Sequence, residues 1–178
     1  GCVQDASATA GSQLVFRNVR LFDGERVHER TDVVVENGHI SSVGPLESIP
    51  AGAQLIDGAG QTLLPGLIDA HVHAFGPALR QALVFGVTTE MDMFTDPNGA
   101  EQLRREQAAN GAAGRADLFS AGVLVTTPGG HGTEYGMEIP TIERPEEADA
   151  FVRDRIDEGS DYIKLVYDDG SISRRFTT

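Results

Sequence analysis

The chain has 178 residues and a mass of 19.0 kDa, room for one ordinary domain or for a small domain joined to part of a larger one. It is 40% hydrophobic and 23% charged, a globular composition that excludes a disordered acidic polymer. Lys plus Arg number 14 against 27 acidic residues, so a net charge of -13 repels phosphate backbones and anionic membrane and excludes nucleic acid as an expected partner.

Residues 1–12, GCVQDASATAGS, are small and polar and read as a flexible tail. Gly1-Cys2 followed by such a linker is compatible with the processed end of an exported bacterial lipoprotein. The plainer alternative is a cloning remnant on a cytoplasmic chain. Cys2 is the only cysteine, so an internal disulfide and a multi-cysteine zinc site are both ruled out. No apolar run approaches the roughly 18 residues that cross a bilayer.

Residues 13–63 read as a β-sandwich part. LVFRNVRLF (14–22) mixes alternation with β-branched and aromatic residues and meets the turn signal Asp23-Gly24. DVVVE (32–36) and HISSVG (39–44) flank Asn37-Gly38, the strongest hairpin signal in the chain. Residues 54–57 and 61–64 continue the pattern, so short antiparallel strands are expected.

From Pro65-Gly66 the pattern changes, and residues 64–178 read as alternating strands and helices. The expected strands are 67–75, 87–94, 116–127 and 161–170. The expected helices are 77–85, 98–112 and 145–158, the last with Ala148, Phe151, Val152 and Ile156 on one face. Four such units in order predict a parallel sheet.

Three places could carry chemistry. In Asp69-Ala70-His71-Val72-His73, strand alternation puts His71 and His73 on one side at the strand's carboxyl end, a placement that suits a divalent metal. The competing reading is two unrelated strand-end histidines. Lys164 is the only lysine, against thirteen arginines, and sits inside YIKLV. A charged amine in a core is costly, whereas a neutral amine can capture CO2 as an anionic carbamate, which arginine cannot do. The alternative is an accident of composition, or an ion pair with Asp92 or Asp168. Gly129-Gly130-His131-Gly132 follows the third strand, and His131 and Tyr135 could bond a substrate carbonyl or carboxylate; otherwise the segment is a mobile loop. Asp92, Asp96, Asp168 and Asp169 read as caps, turn formers or supports behind a metal ligand, and Asp69 as structural. His28 and His39 read as surface residues.

Taken together these residues resemble the amidohydrolase superfamily. LIDGAGQTLLPGLIDAHVH resembles the usual entry to its (β/α)8 barrel, and YIKLVYDDG resembles the strand that carries a carboxylated lysine. GVLVTTPGGHG resembles the branch of prolidase-like dipeptidases and imidazolonepropionase relatives. The resemblance covers about residues 14–178. It implies an α/β fold, with residues 64–178 as the first half of a barrel, and a hydrolase of amide or peptide bonds, dipeptides included. It also implies a binuclear centre of two divalent ions, zinc foremost, with His71 and His73 on the more buried ion, Lys164 as a bridging carbamate and catalytic residue, and a metal-bridging hydroxide as nucleophile. His131, with Tyr135 beside it, would bind the substrate. Two histidines from the fifth and sixth strands and an aspartate from the eighth fall outside this chain. The C-terminal half of the same protein is therefore an expected partner, as a separate chain or a lost segment, and so is a homo-oligomer. The 178-residue piece alone is expected to be inactive. The other readings are a non-catalytic remnant or interaction module, and a lactone or phosphotriester hydrolase of the same superfamily.

Overall fold

Asn37 and Gly38 both take positive φ, 53° and 79°, the twist that lets a two-residue turn join right-twisted antiparallel strands. They connect β2 (Val27–Glu36) to β3 (His39–Val43), while β1 (Gln13–Phe22) pairs antiparallel with the other edge of β2. The computed structural model describes residues 13–110 and 114–167. It divides into two units, Gly1–Pro65 and Gly66–Thr178. The expected tail at 1–12 and the aspartates at 168 and 169 lie outside the described residues.

In the first unit β4 (Gln54–Asp57) and β5 (Thr62–Leu63) both lie beside β1 and run parallel to it. The expectation of purely antiparallel strands is thus corrected. Among the described residues the five strands form one mixed sheet in the order β3-β2-β1-β4, with β5 also on β1. The physical reason is the connection after β3, long enough to carry the chain back across the sheet before β4 begins. Val15, Val19, Leu21, Val33 and Val34 are buried in this unit. A bulge at Asn18, with φ of 57°, releases its N–H from the ladder, and the buried Asp32 carboxylate accepts it at 3.0 Å. The same carboxylate accepts Leu46 N–H at 3.0 Å. Burial pushes the Asp32 carboxyl up, but these two bonds and the Arg17 guanidinium outweigh it and hold it below the usual carboxylate range.

The second unit begins at Gly66. A Cβ there would stand 2.1 Å from Thr88 Oγ1, so only glycine lets the backbone approach this closely. Three parallel strands follow in the order β6-β7-β8: β6 (Leu67–Val72), β7 (Val87–Asp92) and β8 (Asp117–Ser120). Helix α1 (Ala78–Val84) and helix α2 (Pro97–Asn110) make the crossovers. Leu79 of α1 packs with Ala116 and Leu118, and Ala82 and Leu103 lean on that cluster. Asp96 caps α2, accepting Gly99 N–H at 3.2 Å.

Two expected strands are corrected. The one over 116–127 ends at Ser120, because Gly122 turns the chain at φ of 60°. The one over 161–170 is reduced, among the described residues, to a parallel bridge between Leu165 and Val125. Side chains interrupt the ladder between them: Asp161 accepts Ser120 N–H at 2.8 Å, and Ser160 donates to Ala121 O at 2.9 Å. The expected helix over 145–158 is a 3-10 turn at Pro145–Glu147 followed by α3 (Ala148–Asp157). Its buried face holds Phe151 and Arg155 rather than Ile156, which is 62% exposed. Arg155 can be buried because its guanidinium lies 4.6 Å from the Phe151 ring centre and is bonded by both Glu158 oxygens, at 2.6 and 2.8 Å.

Candidate functional site

β6 delivers His71 at its carboxyl end, and His73 stands just past the last strand residue. The two rings are 6.3 Å apart, centre to centre, and nearly perpendicular. Asp69 fixes the backbone here by accepting His71 N–H at 3.2 Å, the structural role expected of it. Behind the pair stands Asp92, the last residue of β7 and fully buried. Its carboxylate accepts Ala74 N–H at 3.0 Å and the Ser120 hydroxyl at 2.8 Å, tying the chain just after His73 to β8. The Asp92 carbonyl accepts the Tyr162 hydroxyl at 2.7 Å, so one residue braces three strand ends.

Lys164 reaches the same place by a different route. Val125 N–H donates to Lys164 O at 2.8 Å, and Val166 N–H donates back to Val125 O at 3.1 Å. This pins the segment 164–166 beside the third strand's continuation. The lysine is half-buried, in a cavity wall rather than the core expected from YIKLV.

His131 lies in a glycine-rich turn that is ordered by its own side chains. Gly132 has φ of 104°, open only to glycine without strain, and starts a 3-10 turn over Thr133–Tyr135. Glu134 pairs with His131 Nδ1 at 2.9 Å and accepts Gly132 N–H at 2.5 Å. Tyr135 meets the His131 ring edge-on at 5.9 Å. Partial burial raises the Tyr135 hydroxyl above its ordinary value, and the Glu134 carboxylate adds to this.

His71, His73, His131 and Lys164 thus line one cavity of about 340 Å³, with Met93 and Leu124 among its other walls. Tyr135 lines a neighbouring cavity that shares His73. Four of the five residues singled out from the sequence are brought together from segments up to ninety-three positions apart, from 71 to 164. His39 is exposed, and His28 is half-buried and pairs with Asp23 at 2.7 Å. Asp96 is a helix cap.

Among the described residues, no group of three His, Cys, Asp or Glu side chains is arranged to hold a metal ion. The available donors are two imidazoles and an amine. An ion shared by two imidazoles lies about 2.1 Å from a nitrogen of each, and a 6.3 Å separation of ring centres is of the order such sharing requires. A carbamate on Lys164 would add the oxygen ligands that the histidines lack. The donor set therefore fits a metal centre if the lysine is carboxylated.

One charged group near the site was not singled out from the sequence. Glu90 is buried on β7, two residues before Asp92, and its Oε2 has no hydrogen-bond partner. Burial raises its carboxyl above the ordinary value, and the Asp69 and Asp92 carboxylates push it further. The available signal was the spacing Glu90-x-Asp92, which in a strand turns both acids to the same side.

No family model matches the chain. A dihydroorotase from Geobacter sulfurreducens is 42% identical over 67 residues, 37% of this chain and 16% of that protein. An allantoinase from Streptomyces avermitilis is 38% identical over 92 residues, 46% of this chain and 20% of that protein. Among solved structures, a Xaa-Pro dipeptidase crystallised with methionine in its active site superposes with a TM-score of 0.69 at 27% identity, over 86% of this chain and 46% of that one. The chain therefore spans a fifth or less of these curated relatives, and under half of the dipeptidase.

Proposed function

We propose that this chain, which belongs to the amidohydrolase superfamily, forms part of the catalytic face of a metal-dependent hydrolase of carbon–nitrogen bonds. In this reading β6, β7 and β8 with α1 and α2 are the opening of a (β/α)8 barrel. Further strands, from the C-terminal half of the protein, complete the active site. The substrate is a small amide or peptide.

The observation that carries the reading is the convergence of His71, His73, His131 and Lys164 on one cavity, at the carboxyl ends of parallel strands. His71 and His73 would hold one divalent ion, and Lys164, as its carbamate, would bridge it to a second. The bound ions would polarise the substrate carbonyl and activate water. The protein's own contribution is positional. Asp69 holds the His71 backbone, and Asp92 holds the chain after His73. Glu134 fixes Nδ1 as the proton-bearing nitrogen of His131, which contacts a carbonyl or carboxylate oxygen of the substrate.

Two measurements on the full-length protein test this. Elemental analysis should find two divalent ions per molecule, and intact mass under non-acidic conditions should find one CO2 added at Lys164. Metal-free protein with an unmodified lysine would overturn the reading.

A further inference from the structure

We propose that the cavity beside the histidine pair receives a bulky apolar group of the substrate, so that the site favours amides whose carbonyl is flanked by an aromatic or large aliphatic side chain. The inference rests on the hydrolase reading for the word substrate, but the cavity itself is independent of any metal.

The cavity is about 420 Å³, within the roughly 300–1,000 Å³ typical of small-molecule sites. Phe94, 5% exposed, is among its linings, and Phe75, Tyr135 and Met137 contribute walls. These three are 64%, 58% and 46% exposed, so the cavity is open to water. The cavity adjoins the one at the reacting centre, with His73 in the lining of both. The His73 ring stacks on Phe75, with centres 6.0 Å apart and planes 7° from parallel. Tyr135 contacts both Phe94 and His131. A group bonded to a carbonyl lying between His73 and His131 therefore has an aromatic-lined cavity next to it.

The chemistry of the lining narrows the ligand. The one carboxylate there, Asp96, already accepts Gly99 N–H and the Asn98 amide in capping α2, so it does not call for a cationic group. Besides His73 and Thr95, what remains is aromatic faces and a thioether, which recognise a ring by offset stacking and sulfur contact.

Calorimetric titration of full-length protein with N-acetylphenylalaninamide and N-acetylglycinamide tests the proposal. The aromatic amide should bind at least about tenfold more tightly. Met137→Ala and Phe75→Ala should each reduce that ratio to about threefold or less, since both residues are largely exposed and their truncation leaves the buried cluster intact. Equal affinities, no detectable binding of either amide, or a ratio unmoved in both variants would overturn it. Metal content measured on the same samples separates the two ideas. Two bound ions with no aromatic preference sinks only the apolar site. A preference that persists in metal-free protein with a bare lysine sinks the hydrolase reading and leaves the apolar site standing.

Discussion

The two units of this molecule treat their buried carboxylates differently. In the sheet unit, the buried carboxylate of Asp32 is met by two backbone N–H groups and an arginine, and the central valines are closed off from water. In the αβ unit, Leu67, Ile68, Phe85, Leu165 and Tyr167 are all more than half exposed, and the buried Glu90 keeps an unpartnered oxygen. Every residue assigned to chemistry lies in this second unit. The lesson is narrower than a closed unit against an open one: the buried acid of the sheet unit is fully met, although Arg17 Nε beside it has no hydrogen-bond partner and Ile40 is 66% exposed. The αβ unit keeps its strand ends, its cavities and one uncomfortable acid available for something else.

The sharpest way to break that contrast is at Lys164. If the second unit is organised for the proposed chemistry, Lys164→Ala in the full-length protein should lower kcat/KM by at least a hundredfold, since removing even a supporting group behind a metal ligand costs about 10–100-fold. Its melting temperature without metal should hardly move, because the side chain is only half-buried in a cavity wall. Short carboxylic acids in the assay should restore part of the rate by occupying the carbamate's place. A variant that keeps full turnover removes the lysine from the mechanism.

The contrast also explains which features could be read from the sequence. Local chemistry was legible: Asn37-Gly38 dictated a hairpin, Pro77 preceded a helix, and alternation in Asp69–His73 put two imidazoles side by side. Long-range pairing was not. Nothing local in residues 54–57 says that they align parallel to 14–17, because that choice is made by a returning connection and by pairing with β1. The third strand looked continuous because ADLFSAGVLVTT is apolar throughout. It breaks where Ser160 and Asp161, forty residues on, capture the backbone of Ser120 and Ala121. Arg155 displaced Ile156 from the buried face of α3 for a comparable reason. A guanidinium with an aromatic ring beneath it and a carboxylate beside it can be buried, and hydrophobic periodicity does not count such pairs. At the site, the residue types for His71, His73, His131 and Lys164 were visible. Asp92 was visible only as one of four candidate caps or supports; what it braces was not, since Ala74, Ser120 and Tyr162 come from three other segments.

A smaller effect tests the closed side of the comparison. Asp32→Ala strands the Asn18 and Leu46 N–H groups, and should cost about 2 kcal/mol in denaturant unfolding at pH 7. The sign with pH follows from its depressed carboxyl. The stabilisation is fully present above the ordinary value of 3.8 and is lost as pH falls through the lower native value. Parent and variant should therefore converge in strong acid. A constant difference at all pH values would mean that the loss comes from packing rather than from the carboxylate.

Glu90 carries the opposite sign, and the smallest effect. Its carboxyl is raised in the native state by burial first and by Asp69 and Asp92 second. Below the ordinary value of 4.5 both folded and unfolded forms hold the proton, and the group costs nothing. As pH rises through that value toward the raised native one, the unfolded chain ionises first and stability falls; above the native value the cost stays constant. Glu90→Gln removes this cost while keeping the shape. The variant should gain about 1 kcal/mol at pH 7, or roughly 2–4 °C in Tm for a chain of this size, with no gain at pH 4. A loss of stability at pH 7 would show that the ionised carboxylate has a cationic partner in the working protein. It would move Glu90 from the cost of the αβ unit to its machinery, beside the histidine pair.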